Sequence, residues 1–350
     1  MSNQEVIDLR SDTVTRPTEE MRLSMKEAEV GDDVMREDPT ILELENKAAD
    51  LLGKEDAMLV TSGTQGNLSS ILTHTNPGEE MILEQRSHIY THEVGGFAGL
   101  GGLSVRPVFG EDGFMDPMDI KQNIRGKDIH HADQSLICIE NTHNSWGGVP
   151  LESEYIETIG DIAEDNGLKL HIDGARLFNA SVYLDESPED LVKPADSVQI
   201  CLSKGLSAPI GSLVVGNEEF IRKARKTRKK LGGGMRQAGV IAAPGIIALE
   251  EMITRLEVDH KNLNKLTTEL KNIGLEINPE KYKTNIAYFD TSTIGLTGEK
   301  FKNHLENKGI LVFATGEYEV RFVTHREISK EDIKETISRI KELLSEIEVK

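Results

Sequence analysis

Cysteine is scarce in this sequence, and long apolar runs are absent from it. The 350 residues include two cysteines, Cys138 and Cys201, and both lie within apolar segments typical of buried strands. We therefore expect buried free thiols rather than a disulfide or a metal pair, in a protein of the reducing cytoplasm. No apolar run approaches the ~18 residues that a membrane-spanning helix requires. The opening residues also lack the basic start and apolar stretch of a targeting signal, so we expect no membrane anchor.

Basic residues are also fewer than acidic residues in this chain. The chain has 40 Lys and Arg against 60 Asp and Glu, which gives a formal net charge of −20. This balance disfavours nucleic acid or an anionic membrane surface as a partner. One stretch, residues 222–239, is strongly basic, and we interpret it first as a solvated helix face that ends at Gly232–Gly234. The alternatives are nucleic-acid binding, or a loop that carries Arg236 to a phosphate in this subunit or a neighbouring one.

Strand and helix patterns alternate along the first two thirds of the chain, separated by short segments rich in Gly, Pro or Asn. Such alternation favours an α/β fold, in which a mostly parallel sheet is covered by helices on both faces. The predicted strands of this part are residues 55–60, 79–84, 135–141, 168–173 and 211–216.

The last hundred residues show a different pattern. Residues 245–274 are typical of one long amphipathic helix. Three strand-like segments follow, at residues 285–290, 310–316 and 318–325. Ser329 and Asp332 then suit the N-cap and N3 positions of a final helix. We predict two domains, a large one with an N-terminal arm over residues 1–249 and a small α+β domain over residues 250–350.

Two polar side chains stand where predicted buried strands end. An apolar run in QICLSKG passes into Lys204, and a second run in LKLHIDG ends at Asp173. Side chains at the rim of an α/β sheet are well placed to do chemistry. An amine can form a Schiff base with an aldehyde, and a carboxylate can keep a pyridine nitrogen protonated. These are the two protein groups that pyridoxal phosphate (PLP) requires, so the pair predicts a PLP enzyme.

The turn that begins TSGTQGN at residue 61 predicts the phosphate site that PLP also needs. Gly63 lets backbone amides approach an anion, and Ser62 and Thr64 add hydroxyl groups. The helix that follows has its positive end at this turn. Most turns of this kind are only capped helix starts, so the prediction depends on the lysine and the aspartate being present as well.

Nine short motifs stand in order between residue 8 and about residue 340. They are DLRSDTVTRP (8–17), GDDV (31–34), EDPT (37–40), SGTQGN (62–67), ENTHN (140–144), HIDGAR (171–176), CLSKGL (201–206), GGGMRQAG (232–239) and RFVTH (321–325). Together they resemble L-threonine aldolases of the low-specificity type, in the β-eliminating lyase family. The resemblance implies an aspartate-aminotransferase-like, fold-type I PLP enzyme with a mostly parallel seven-stranded sheet, assembled as a homotetramer of catalytic dimers. It also implies cleavage of L-threonine or L-allo-threonine to glycine and acetaldehyde.

The resemblance further implies roles for single residues. The substrate carboxylate is expected to be bound by Ser11, Arg176 and Arg321, and Arg176 is also expected beside the cofactor. Arginines suit this role because their planar fork matches a carboxylate. Arg236 and Lys229 are expected to reach the cofactor phosphate across the dimer interface. The active sites would then be shared between chains.

A base for the β-hydroxyl proton should have a pKa near neutrality, which indicates histidine. By resemblance, His88 stacks on the cofactor ring near that hydroxyl, and His130 contacts the hydroxyl. Either histidine or a bound water can take the proton. Other histidines in or near the motifs are interpreted as structural. Zinc ranks low although His88, His92 and Glu93 are close in sequence, because no HExxH motif occurs, and we expect no metal.

Two alternatives remain open from the sequence. One is another PLP enzyme of the same fold, either a β-eliminating lyase acting on tryptophan, tyrosine or cysteine derivatives or a phenylserine aldolase. The other is a non-enzymatic PLP-binding regulatory module, although no helix-turn-helix pattern or basic DNA-reading segment is found. His92 stands where the family often has an aromatic residue, which leaves the preference for β-substituents open.

Overall fold

The computed structural model describes residues 6–348. The α-helices of this range are α1 (Glu19–Glu27), α2 (Pro39–Leu51), α3 (Gly63–His74), α4 (His88–Thr91), α5 (Gly96–Gly99), α6 (Pro117–Asn123), α7 (Ser153–Asp165), α8 (Leu177–Leu184), α9 (Pro188–Val192), α10 (Glu218–Lys230), α11 (Gly239–Glu251), α12 (Leu256–Asn272), α13 (Gly298–Asn307) and α14 (Lys330–Glu348). Short 3₁₀ helices occur at Asp12–Val14, Asp33–Met35, Asn144–Trp146, Pro279–Lys281 and Thr291–Ile294.

The strands lie between these helices for most of the chain. They are β1 (Ile7–Asp8), β2 (Asp56–Val60), β3 (Glu80–Glu84), β4 (Ser104–Val108), β5 (Gly110–Glu111), β6 (Phe114–Met115), β7 (Gln134–Glu140), β8 (Lys169–Gly174), β9 (Ser197–Cys201), β10 (Ser212–Gly216), β11 (Ile286–Asp290), β12 (Ile310–Leu311), β13 (Phe313–Gly316) and β14 (Glu319–Val323).

Seven strands form the central sheet, in the order β2–β10–β9–β8–β7–β3–β4. All neighbours are parallel except β10, which runs antiparallel to both β2 and β9. Strands β3, β9 and β10 are buried along their whole length, as expected when helices cover both faces of a sheet. The predicted α/β class with a mostly parallel seven-stranded sheet is confirmed. The five strands predicted for this part correspond to β2, β3, β7, β8 and β10.

A second hydrophobic core lies beside the antiparallel sheet β11–β14–β13. Its fully buried members include Phe289, Phe301 and Phe322. The N-terminal strand β1 pairs in parallel with β12, and Ile7 and Leu9 are buried in this second core. The N-terminal segment therefore packs with the C-terminal part of the chain. The domain boundary near residue 250 stays a prediction.

The single helix predicted over residues 245–274 is wrong in its extent. Two helices, α11 and α12, occupy this region, and residues 252–255 separate them. Helix α11 is apolar except at its last two residues, Glu250 and Glu251, and packs against α1 and α2. Helix α12 begins with Leu256 in the core of the large sheet and continues to Leu266 in the second core. The break turns the chain from one core towards the other.

The predicted capping box of the last helix is confirmed. The amide of Asp332 donates to Ser329 Oγ at 3.1 Å, and the amide of Ser329 donates to Asp332 Oδ2 at 2.8 Å. Helix α14 begins directly after this cap, at Lys330. Two otherwise unpaired amides at the helix start are thus satisfied by local residues.

The basic stretch on α10 is only partly a solvated face. Arg225 donates to both carboxylate oxygens of the buried Glu45, at 3.1 and 2.9 Å. Arg228 donates to Asp33 Oδ2 at 2.7 Å and is itself buried. The interpretation as a solvated face is therefore wrong for these two arginines. They supply the counter-charge that a buried carboxylate requires.

Both cysteines are buried free thiols, as predicted. Burial raises the pKa of the Cys138 thiol, and the nearby carboxylates of Asp173 and Glu93 raise it further. Across residues 6–348, no helix combines the length and the apolar character needed to cross a membrane.

Candidate active site

The carboxyl ends of six parallel strands meet at one edge of the central sheet. Strands β2, β3, β4, β7, β8 and β9 end there and pass into loops. The strand register places Asp173 of β8 between Glu140 of β7 and Gln199 of β9. In open α/β sheets, ligands bind outside this edge. The loops of this edge contain most of the residues that the sequence predicted to be functional.

Lys204 lies in the loop after β9 and is half-buried. Its backbone oxygen accepts hydrogen bonds from Thr15 Oγ1 and from the amide of Ser207, both at 2.9 Å. Within residues 6–348, no hydrogen bond or ion pair engages its amine. The backbone is thus fixed while the amine stays available for a covalent bond.

Asp173 is buried at the end of β8, the strand beside β9. Its Oδ2 accepts a hydrogen bond from Asn67 Nδ2 at 2.8 Å, and its Oδ1 accepts one from the amide of Ala175 at 3.2 Å. Each carboxylate oxygen can accept more than one hydrogen bond, so a further donor can still be bound. The two predicted PLP-binding groups therefore follow neighbouring strands at the same edge.

The predicted phosphate turn joins β2 to the N-terminus of α3. Ser62 is the N-cap, and its Oγ accepts from the amide of Gln65 at 3.2 Å. The amides of Gly63 and Thr64 precede the first intrahelical hydrogen bond. Gly233 of the triple-glycine loop lies against this turn, since a Cβ there would stand 2.4 Å from the Gln65 side chain. The loop and the turn are therefore neighbours within one chain.

Arg176 is not a free arginine. Its Nε and Nη2 donate to the two carboxylate oxygens of Asp12, both at 2.7 Å, and both residues are buried. Burial alone would raise the pKa of Asp12. The Arg176 guanidinium lowers that pKa by more than burial raises it, and the Lys204 charge and the Asn285 amide lower it further. Together they hold that pKa well below its ordinary value. Lys204 is thus electrostatically coupled to the Asp12–Arg176 pair.

Arg321, on β14, faces the same group from the second core. Its Nη1 donates to Asn144 Oδ1 at 3.3 Å and its Nη2 donates to the backbone oxygen of Arg10 at 3.1 Å. Arg176 Nη1 also donates to Asn144 Oδ1 at 3.3 Å. The buried Nε of Arg321 has no hydrogen-bond partner in the part of the chain described. A buried donor without a partner is unusual, and it fits an anionic ligand at this point.

Ser11 begins the 3₁₀ helix Asp12–Val14 next to these arginines. Its Oγ accepts hydrogen bonds from the amide and the hydroxyl of Thr13, at 3.2 and 2.8 Å. The neighbouring residues Arg10 and Asp12 are the ones that contact Arg321 and Arg176. Ser11 is therefore held in the same group, although its predicted contact with the substrate stays a prediction.

His88 opens the short helix α4 after β3. Its Nδ1 lies 3.0 Å from Glu93 Oε1, and its amide donates to Glu140 Oε2 at 2.7 Å. Its ring stacks on His92 with centroids 5.4 Å apart. Burial acts to lower the pKa of His88, but Glu93, Asp173 and Glu140 raise it above its ordinary value. His88, Glu93 and Asp173 each place one side-chain atom within 4.8 Å of the others.

His130 does not lie at this edge within its own chain. It stands four residues before the start of β7, whose far end carries Glu140, and a seven-residue strand is about 20 Å long. Its side chain is 80% exposed and pairs with Asp128. A single chain therefore does not bring His130 to the other predicted site residues, and its catalytic role stays a prediction. A role in the site of another copy stays a prediction.

In the part of the chain described, no hydrogen bond or ion pair joins the side chain of Arg236 or Lys229 to the phosphate turn. Arg236 is 58% exposed and donates to Asp32 Oδ2 at 2.9 Å. Lys229 is exposed, and its side chain lies against Gly234. Their predicted approach to a phosphate across an interface stays a prediction.

Several polar residues of the site were not predicted. Asp12, Asn67, Glu140 and Asn144 hold predicted residues through side-chain hydrogen bonds. Each stands inside one of the motifs quoted above. The sequence signal for these residues was therefore that each is a polar residue in a motif but had no role assigned to it. Glu93 was considered only as a zinc ligand.

The residues at this edge fit PLP. An unpaired amine and a buried carboxylate with spare acceptor capacity occupy neighbouring strand ends. The N-terminus of α3, with exposed hydroxyls on Ser62 and Thr64, suits a phosphate. This set of donors and acceptors matches the aldehyde, pyridine nitrogen and phosphate of the cofactor.

Fold and site together define a fold-type I α/β enzyme that uses PLP. A solved structure titled as an initial structural analysis of Leishmania major threonine aldolase shares this fold, with a TM-score of 0.82 and 20% sequence identity. The similarity covers 97% of this chain and 99% of that one. At this identity the likeness concerns the fold alone.

Sequence similarity identifies the family. The family described as beta-eliminating lyase matches residues 8–292. A probable low-specificity L-threonine aldolase 2 of Arabidopsis thaliana is 48% identical over 338 residues, which is 95% of each chain. A low specificity L-threonine aldolase of Escherichia coli O157:H7 is 39% identical over 341 residues, covering 97% of this chain and 100% of that one. The chain belongs to the beta-eliminating lyase family.

Proposed function

We propose that this chain is an aldehyde-lyase that uses PLP to cleave L-threonine and L-allo-threonine to glycine and acetaldehyde. One observation carries the proposal: Lys204 and Asp173 follow neighbouring strands beside a group in which Arg176 and Arg321 converge on Asn144. A PLP enzyme for an amino-acid substrate needs this combination of an amine, a carboxylate and cationic clamps. The similarity to low-specificity L-threonine aldolases supports the reaction.

The residues at the strand ends would hold the cofactor. Lys204 would bind it covalently through its free amine, and Asp173 would keep its pyridine nitrogen protonated. Ser62, Gly63 and Thr64 would hold its phosphate at the N-terminus of α3. When bound, PLP supplies a cationic ring that takes up the electron pair released when the Cα–Cβ bond of the substrate breaks.

The arginines would orient the substrate. Arg321 has a buried Nε without a partner among the described residues, so it is the better placed of the two to bind the substrate carboxylate directly. Arg176 is held rigid by Asp12 and can present its remaining Nη1. Ser11 stands between Arg10 and Asp12, which contact these two arginines. Fixing the carboxylate fixes the direction of the Cα–Cβ bond, which decides the bond that breaks.

We assign removal of the β-hydroxyl proton to His88. Its ring lies at the carboxyl edge of the sheet, and acidic neighbours raise its pKa. A group with a pKa near the working pH is an efficient base. His130 would act only if another copy brings it to the edge.

The assembly proposed is a cytoplasmic homotetramer, a dimer of catalytic dimers, that serves threonine breakdown or glycine supply. Arg236 and Lys229 would then reach the phosphate of the partner's site. The exposed position of both side chains in one chain is consistent with such a contact. The large domain would end near residue 249.

Purified protein mixed with PLP and each threonine isomer provides the test. Acetaldehyde is followed by coupled reduction while the visible absorption of bound PLP is recorded. Absorption together with aldehyde supports the proposal, and the ratio of the two rates gives the stereochemical preference. Absorption without aldehyde would favour another lyase, whose pyruvate and ammonia can be assayed. No visible band would overturn the proposal.

A further inference from the structure

Glu93 is a buried carboxylate at the centre of the site without a role in the function proposed so far. Its Oε1 accepts a hydrogen bond from Asn67 Nδ2 at 2.8 Å and lies 3.0 Å from His88 Nδ1. The same Nδ2 donates to Asp173 Oδ2 at 2.8 Å. Two buried carboxylates are thus joined by one amide group, and one of them also holds His88.

The direction of these hydrogen bonds is forced. Asn67 Nδ2 faces two carboxylates, which only accept, so Asn67 Oδ1 must face the other way. There it lies 3.1 Å from His171 Nε2, which must therefore carry the proton. His171 Nδ1 then accepts from Ser197 Oγ at 2.8 Å. Burial lowers the pKa of His171 to about 4, so this neutral tautomer persists at working pH.

The chain of hydrogen bonds continues to the far end of α3. Ser197 Oγ donates to His171, so it accepts from His74 Nε2, which lies 2.8 Å away. Burial lowers the pKa of His74 to about 3, and its ring stacks on Phe220 with centroids 4.4 Å apart. The Asn67 amide therefore cannot rotate without breaking several buried hydrogen bonds.

The same reasoning fixes the tautomer of His88. A carboxylate accepts, so His88 Nδ1 must donate its proton to Glu93. In the neutral ring, Nε2 is then the acceptor, and it makes no hydrogen bond within residues 6–348. The charged or titratable groups that face this ring are Glu93, Asp173, Glu140 and His92. Of these, Glu93 bonds to the ring directly.

We propose that Glu93 is a positioning residue of the reaction, which holds the Nδ1 proton of His88 and, through Asn67, fixes the carboxylate of Asp173. This proposal rests on the function proposed above. The O–H bond of the substrate breaks and an N–H bond forms at His88 Nε2, while the new imidazolium is stabilised by Glu93. The proton later leaves Nε2 for product or solvent, which restores the neutral ring.

Glu93→Gln tests the charge while keeping the shape, since an amide oxygen can still accept from His88 and Asn67. We expect kcat to fall about 10- to 100-fold, with little change in KM. The acidic limb of the pH profile should move to lower pH by about one unit, because loss of the negative charge makes the imidazolium less stable. The control is Glu219→Gln, which removes one partner of the exposed Glu219–Lys223 pair. This variant should leave kcat and the pH profile unchanged.

A second readout does not depend on turnover. In the PLP-loaded enzyme labelled with ¹⁵N-histidine, with His88→Gln to assign the signals, His88 should show the Nδ1-protonated tautomer. In Glu93→Gln its titration midpoint should fall by about one unit. The double variant His88→Gln/Glu93→Gln should be no slower than His88→Gln by more than about twofold. The glutamine oxygen still accepts from Asn67, so the substitution removes only the effect of the charge on His88.

Four results would overturn the proposal. They are an unchanged titration midpoint of His88 in Glu93→Gln, an unchanged kcat, an equal loss of activity in the His88→Gln background, and a loss that merely follows a lower thermal midpoint or weaker PLP absorption. Failure of the proposed function is distinguishable, because wild-type protein would then release no acetaldehyde. The histidine signals would still report on Glu93.

Discussion

Asp12 and Arg176 form a buried bidentate ion pair across the carboxyl edge of the sheet, with both nitrogen–oxygen distances at 2.7 Å. The two residues are far apart in sequence and join the N-terminal segment to the loop after β8. The pair leaves one nitrogen of Arg176, Nη1, directed at Asn144. Asp12 therefore neutralises a buried guanidinium and fixes its orientation, which leads to a prediction for stability.

Asp12→Asn should lower the free energy of unfolding by about 3–5 kcal/mol, because a buried guanidinium loses its counter-charge. The pKa of Asp12 is lower in the folded than in the unfolded protein. Its contribution is therefore fully present above the unfolded value, about 3.9, and is lost as the pH falls below that value. Urea unfolding should show a constant difference from wild type between pH 7 and 5, shrinking below about pH 4.

The matched control is Asp8→Asn in the same segment. Asp8 pairs with the half-exposed Arg10, and exposed pairs contribute no more than about 1 kcal/mol. If the two variants lost stability equally, burial of the Asp12 pair would not be the source of its effect.

Arg321→Ala should raise KM for L-threonine roughly 100-fold, because a charge-assisted pair with the substrate carboxylate is lost. Binding of PLP, measured by its visible absorption, should change little, since no hydrogen bond joins Arg321 to Lys204 or Asp173 among the residues described. Arg321→Lys should be intermediate. Arg22→Ala, an exposed arginine of α1, is the control. An unchanged KM in Arg321→Ala would refute the clamp.

Glu45→Gln should destabilise the protein by about 3 kcal/mol. Its buried carboxylate accepts from Arg36, from Arg225 and from the amide of Leu59. Gln keeps the size but removes the counter-charge of Arg36 and leaves Arg225 with Asp56 alone. Thermal unfolding of this variant is compared with that of Glu219→Gln, whose exposed pair should contribute little. Equal midpoints for both variants would contradict a stabilising role for the buried cluster.

Mixing an Arg236→Ala chain with a Lys204→Ala chain should restore activity if Arg236 serves the partner's site. Each mixed dimer then has one intact site, so random exchange should give about a quarter of wild-type activity. Each variant is first assayed alone, and exchange of subunits is verified with a mass-tagged chain. Mixed dimers without recovered activity would place Arg236 in the site of its own chain.

Local patterns in the sequence determined much of this protein. Apolar runs bounded by turn residues located strands β2, β3, β7, β8 and β10, because strands covered by helices on both faces leave a continuous apolar signal. Ser329 and Asp332 located the last helix, since a capping box is formed by residues three positions apart. The strand-end positions of Lys204 and Asp173 indicated the cofactor for the same local reason.

Only the tertiary structure decided which groups meet. Sequence could not show that Arg176 is occupied by Asp12, that Arg225 and Arg228 are buried, or that His130 lies at the opposite edge within its own chain. Nor could the sequence show that Asn67 links Glu93 to Asp173 by hydrogen bonds. These relationships depend on strand order and on side chains from distant segments packing against one another. The partner of a buried hydrogen-bonding group or charge can be far away in the sequence. Local periodicity therefore does not identify that partner.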